Sequence, residues 1–234
     1  MEPIHLLDEI PFDLDVVALR KRLHIAEGSA YAAEFENVSA GVAELARPKA
    51  LYRPVYVQER TEDSIVVEGI RLQSRVLSVN TAAAYRLFAY VATCGVELAQ
   101  WAHTLEDALQ QYWADAIQEL AVRQAMQALK QDLEQHYCPG QTAAMSPGSL
   151  EDWPISEQEP LFQLLGDTRS TVGVTLTESL LMLPTKSISG VRFPTAEHFE
   201  SCQLCSRPDC PGRRAAYDPS LYARRYRPDA ESDH

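Results

Sequence analysis

The chain has 234 residues, of which 46% are hydrophobic and 23% charged, and a formal net charge of −12. That is enough apolar material for one well-packed domain with appendages. An acidic surface speaks against nucleic acid as a partner, because such binding is driven by neutralising phosphates. No basic-then-apolar signal opens the chain, and no stretch reaches the roughly 18 uncharged apolar residues of a membrane span. The longest candidate, residues 79–96, is interrupted by Arg86. A cytoplasmic chain with no membrane contact is expected.

In chain order, residues 1–30 predict a short amphipathic helix. Leu14, Val17, Ala18 and Leu23 form its apolar stripe, and Arg20, Lys21 and Arg22 its wet side. Residues 51–57 and 64–68 are rich in β-branched and aromatic residues and predict strands. Asn80 reads as the cap of a helix carrying Ala82, Ala83, Ala84, Leu87, Phe88 and Val91, ended by Thr93-Cys94-Gly95. A long helix is predicted over 105–137, where apolar positions step by threes and fours. Cys138-Pro139-Gly140 breaks it.

Ser156 followed three residues on by Glu159 has the capping-box pattern and predicts a helix over 161–165, stopped by Gly166. Residues 172–176 and 188–193 predict strands. Residues 212–234 are polar and predict a loosely packed tail. Strand clusters separated by helical blocks indicate an α+β fold with an antiparallel sheet.

Three segments carry chemistry. In the first, Ser146-Pro147-Gly148-Ser149, the Pro-Gly pair forces a tight turn at which a ligand can approach the backbone closely. An ordinary loop before a capped helix has the same pattern. In the second, 173–193, Thr177, Glu178 and Ser179 are either hydrogen-bonding ligands for a polar substrate or turn and cap residues. The third is Cys202-Gln-Leu-Cys205 followed by Cys210, which offers three thiolates within nine residues. With Cys94 and Cys138 the chain has five cysteines. An odd count and no signal point to metal or redox chemistry rather than disulfides.

Three thiolates suit an iron–sulfur cluster or zinc, with Cys138, Cys94, His198 or an exogenous group as the fourth ligand. Direct cobalt ligation and metal-free thiols are further readings. Trp101, Trp113 and Trp153 read as core or groove walls. His5, His24, His103, His136 and His198 are scattered with no paired spacing. There is no phosphate loop, dinucleotide fingerprint or nucleophile elbow.

The first two segments together resemble the reactivation domain of cobalamin-dependent methionine synthase. That family's signature runs Arg-x-Ser/Ala-Pro-Gly-Tyr, a capped helix, Gly-x-x-Leu-Thr-Glu-Ser-x-x-Met-x-Pro, then a Ser-x-Ser-Gly strand. Residues 146–190 keep its order and spacing. Thr93-Cys94-Gly95 and Asp115-Ala116-Ile117 look like segments of small single-domain relatives, as does the Cys-x2-Cys-x4-Cys cluster. The resemblance implies a twisted antiparallel sheet with flanking helices, one of them long. It divides the chain into an N-terminal helical segment (1–45), an activation-domain-like core (46–200) and a Cys-rich segment with polar tail (201–234).

It also implies a function: an accessory protein that positions S-adenosylmethionine (SAM), or passes an electron, during reductive reactivation of a corrinoid methyltransferase. The chain would be a component of methionine synthase activity, with no catalytic residue assigned. Ser146, Pro147, Gly148, Ser149, Thr177, Glu178 and Ser179 would contact SAM, and Cys202, Cys205, Cys210 and Cys138 would hold metal. Cobalamin would be carried by the partner, since the chain has no Asp-x-His-x-x-Gly motif, and an electron donor would be a second partner. The family's Arg and Tyr are replaced by Ala144 and Ser149, and an acidic residue expected on the long helix by Met126 or Gln127. The alternative is a metal-binding scaffold that has kept the fold and lost SAM.

Overall fold

The structure, a computed structural model, describes residues 2–227. The end of the predicted tail, 228–234, lies outside the described residues. The element order is β1 (His5–Leu7), α1 (Val16–Arg22), α2 (Ala30–Ser39), α3 (Val42–Leu45), β2 (Lys49–Arg60), β3 (Ser64–Val67), β4 (Ile70–Gln73), α4 (Arg75–Asn80), β5 (Arg86–Thr93), α5 (Val96–His103), α6 (Ala108–Tyr137), β6 (Thr142–Met145), α7 (Gln158–Leu165), α8 (Thr168–Thr171), β7 (Thr175–Leu176), β8 (Met182–Leu183) and β9 (Ser187–Pro194).

Seven strands form one sheet in the order β4-β3-β2-β5-β9-β6, with β1 added against β2, and every pairing is antiparallel. A hairpin, β7–β8, stands apart. The sheet is covered on both faces. Leu51, Val55, Leu87, Val91, Met145 and Phe193 pack with Trp153, Leu161 and Leu165 on one side. Tyr52, Phe88, Tyr90 and Ala92 pack with Trp113, Ile117, Ala121 and Leu129 of α6 on the other. The α+β class and the long helix stand as expected. Asp107 starts that helix by accepting from the N–H groups of Leu109 and Gln110.

Residues 82–91 are not a helix. Asn80 ends α4, and β5 is the central strand, buried along nearly its whole length. A strand covered on both faces reads as an unbroken apolar run, which alternation cannot distinguish from a buried helix. In α1 the buried residue is Leu19, while Val17 is 67% exposed. The Ser156–Glu159 capping box does not form: α7 begins at Gln158 with no side-chain cap. The reciprocal cap lies instead between Glu200 and Gln203.

The tail is not loose as far as residue 227. Tyr226 is fully buried and its hydroxyl donates to Asn80 Oδ1 at 2.8 Å. Its carbonyl accepts from Arg75 Nε. One aromatic in a polar stretch is enough to dock the segment.

Candidate functional site

Strand β6 leads directly into the Pro-Gly turn. Pro147 is buried, and Gly148 and Ser149 are exposed. Gly148 has φ +79°, a conformation that favours glycine, and a Cβ there would lie 3.0 Å from Ile155 Cδ1. Its N–H donates to the Trp153 carbonyl at 2.7 Å, while the Ser149 N–H and hydroxyl both donate to the Ser146 carbonyl at 3.1 and 2.6 Å. Trp153, fully buried, anchors the turn from below. Asp152 fastens it to α4 by accepting from the Val76 N–H at 3.0 Å and from the Ser74 hydroxyl.

Glycine at 190 allows the sheet to approach this closely. A Cβ there would fall 2.2 Å from the Met145 carbonyl and 2.9 Å from both Ser146 Oγ and the Tyr90 hydroxyl. The turn is therefore a rigid platform with its polar face outward.

That face borders an open cavity of about 800 Å³. Gly148, Ser149 and Ile155 form one side, and Cys205, Arg207, Tyr217 and Tyr222 the other. The cysteine segment and the Pro-Gly turn, about sixty residues apart in the chain, thus face each other across one cleft. The segment is organised by Arg213, whose guanidinium donates to the carbonyls of Cys202 at 3.0 Å and of Cys205 and Ala215 at 3.3 Å.

Burial works to raise the Cys202 thiol. The N–H groups of Arg214 and Ala215 and the Arg214 charge outweigh it and hold the thiol below its ordinary value. Cys94 is buried away from this cleft and pushed up to about 12, chiefly by burial. Cys138 caps the end of α6, exposed, at φ 42°.

Thr177, Glu178 and Ser179 sit at the tip of the β7–β8 hairpin and do not line the 800 Å³ cavity. Their hydroxyls bond locally, Thr177 Oγ1 to Ser179 Oγ at 3.0 Å and to the Leu181 N–H at 3.1 Å. The base of the hairpin, Thr175 and Leu183, walls a second cavity of about 510 Å³ with Gly173, Pro184, Asp115 and Gln118. Lys186 pairs with Asp115 at its edge at 2.8 Å. The signature's two halves thus border two different depressions.

Ala144, at the place of the family's Arg, lies directly across the ladder from Arg192. Arg192 donates to Thr142 Oγ1 at 2.8 Å, and its Nε is buried without a hydrogen-bond partner. Directly opposed residues share a face. Arg123, on the long helix, pairs with Glu119.

Among the described residues, one group of three metal-type ligands has its ligand atoms all within 4.8 Å: His5, Asp132 and His136. Cys202, Cys205 and Cys210 form no such group. The histidines lack paired spacing with each other, yet Asp132-x3-His136 on a helix carries the signal, since four residues bring two side chains onto one face.

Residues 99–206 match the sequence model of a family described as vitamin B12 dependent methionine synthase, activation domain. No curated protein matches the chain. Among solved structures, the chain is similar to the crystal structure of the MetH reactivation domain bound to AdoHcy. Identity is 15%, coverage 86% of this chain and 81% of that one, and TM-score 0.58. The resemblance read from residues 146–190 is borne out by the family match, and the fold is that of the reactivation domain.

Proposed function

We propose, on the premise that residues 99–206 carry the activation-domain pattern, that this chain serves the reductive reactivation of a corrinoid methyltransferase of the methionine synthase type. It acts as an accessory protein that holds SAM beside cobalamin carried by its partner. The observation that carries this reading is the exposed Gly148–Ser149 end of the turn, which borders a cavity of about 800 Å³ that Ser146 and Pro147 do not line, within the usual range of roughly 300–1,000 Å³ for small-ligand sites. The solved relative with this fold holds AdoHcy, the demethylated counterpart of SAM.

The residues present fit such a ligand. Gly148 leaves the backbone bare where a side chain would press on Ile155. Tyr217 and Tyr222 offer aromatic faces, and Ser149 and Arg207 polar groups. SAM supplies the methyl group, and the chain's own contribution is to orient its ligand and restrict its freedom next to an acceptor on another protein.

Passing an electron would require a cluster on Cys202, Cys205, Cys210 and Cys138. The sulfurs are not gathered for one here, so no step is assigned to it. The anaerobic visible spectrum of freshly purified protein tests it: a broad absorbance that bleaches on reduction supports a cluster.

Calorimetric titration with SAM tests the main reading. Measurable binding, lost in Ser149→Trp, which adds bulk to the cavity lining, and weakened in Gly148→Asn, which tolerates positive φ but covers the bare backbone and presses on Ile155, is the expected result. No heat at millimolar SAM removes the SAM role. The second reading, a scaffold that has lost SAM, is favoured by Ala144 and Ser149 in place of the family's Arg and Tyr, and that same result would select it.

A further inference from the structure

The His5–Asp132–His136 group lies outside both cavities and is built from parts distant in sequence. Asp132 and His136 belong to the last turns of α6, and His5 sits in β1, which pairs with β2 so that His5 is opposite Tyr52. All three ligand atoms fall within 4.8 Å of one another.

We propose that this group is a binding site for a divalent transition metal of the zinc class, with two imidazoles and one carboxylate as protein ligands and at least one position open to solvent. Borderline ions favour imidazole nitrogen with a carboxylate oxygen, and three protein ligands leave room for water or an exogenous ligand.

The surroundings are those such a site needs. Metal-bound histidines have the second ring nitrogen fixed by a hydrogen bond, and ligating carboxylates are themselves hydrogen-bonded. Here His5 Nε2 meets the Tyr137 hydroxyl at 2.7 Å, and His136 Nδ1 lies 2.9 Å from the Asp132 carbonyl. The Tyr52 hydroxyl donates to Asp132 Oδ2 at 2.7 Å, and its ring stacks on His5, 4.6 Å between centroids and 5° from parallel. His136 Nδ1 also lies 3.3 Å from Asp132 Oδ2, so the carboxylate and one imidazole already face each other.

The cation nearby does not compete. Arg86 stacks over Tyr137, 4.9 Å from the ring centroid, and forms no ion pair with Asp132 among the described residues. His136 is exposed, which gives an ion an entry path. A bound ion would pin the N-terminal strand to the end of the long helix.

The test uses the full chain, free of any histidine tag and stripped with chelator, in a background where Cys138, Cys202, Cys205 and Cys210 are serine. Cobalt(II) is titrated and followed by visible absorption, and zinc(II) by calorimetry. One equivalent is expected, giving d–d bands without thiolate charge transfer. Asp132→Asn and His136→Gln should each weaken it at least about tenfold, and Tyr52→Phe by about tenfold through the carboxylate it orients. The metal-free melting midpoint of each variant is measured alongside, so that lost binding is separated from lost folding. No cobalt binding in this background, which keeps only the buried Cys94, or binding that His136→Gln and Asp132→Asn leave unaltered, overturns the proposal.

Discussion

Replacing Gly190 by alanine tests whether the sheet and the Pro-Gly turn are as tightly joined as the geometry indicates. The new methyl would stand 2.2 Å from the Met145 carbonyl, on backbone, and 2.9 Å from Ser146 Oγ and the Tyr90 hydroxyl. Carbon contacts relax only near 3.5 Å, so β6 must retreat by roughly 1 Å. The serine and tyrosine can rotate, but the carbonyl cannot. Overpacking of this kind costs about 1–3 kcal/mol, and a lengthened β6–β9 hydrogen bond adds about 1 kcal/mol. A total of about 3 kcal/mol lowers the melting midpoint of a chain this size by about 6–12 °C.

The retreat carries Ser146 with it, so the turn shifts relative to Trp153 and the cleft changes shape. Urea unfolding measures the first effect and SAM calorimetry the second. A destabilisation under 0.5 kcal/mol by the first assay would show that β6 is not held as described. Full destabilisation with unchanged SAM affinity would show that the turn does not shape the ligand site.

Other outcomes follow from single groups. Tyr226→Phe strands the buried Asn80 carbonyl oxygen and should cost about 1–2 kcal/mol. A melting midpoint within 1 °C of the parent refutes that role. Thiol labelling of native protein should modify four cysteines and spare Cys94, which is buried and pushed up to about 12; five rapid modifications refute its inertness. At pH 7 Cys202 should alkylate fastest, and Arg214→Ala should slow it, because the Arg214 charge helps hold the thiol down. The ordering is read by mass spectrometry after partial modification.

For pH, the folded His5 pKa lies below the ordinary 6.5, through burial first and then His136, against opposing pulls from Asp132 and Glu2. The stabilisation linked to it is therefore complete above pH 6.5 and lost as pH falls through the folded value. Melting midpoints should drop from pH 7.5 to pH 5, less steeply in His5→Gln. Equal slopes would remove His5 from the account.

What could be read in advance depended on whether the signal was local. The long helix was legible because thirty residues of one periodicity need no tertiary help, though its start at Asp107 came from the structure. Strand β5 was not. Its Leu87-Phe88-Ala89-Tyr90-Val91-Ala92 run is apolar on both faces, and only the helices stacked on each side make it a strand. The capping box at Ser156 was locally correct and globally overruled, since the chain enters α7 through a short 3-10 turn that leaves Ser156 out of capping position. Tyr226 shows the reverse: a polar segment with one anchoring aromatic, whose destination is 146 residues away.

The same division separates the two candidate sites. The Pro-Gly turn was legible because tight-turn chemistry is written in adjacent residues, and Gly190, which makes room for it, stands at the end of the same signature. What no spacing could reveal is that the cysteine segment returns to face it, so that Cys205 and Gly148 border one cleft. That juxtaposition bears on function more than either motif alone. The cleft is walled by a bare backbone turn and by a segment whose Cys205 lines it, while Cys202, the thiol held low, is not among the lining residues. If SAM occupies the cleft, Cys205→Ala should leave its affinity within about threefold while Ser149→Trp abolishes it, because a thiol at the rim contributes contact but no charge-assisted hydrogen bond. A loss of tenfold or more in Cys205→Ala, measured by calorimetry, would instead make the thiol part of the binding surface and refute its assignment to the rim.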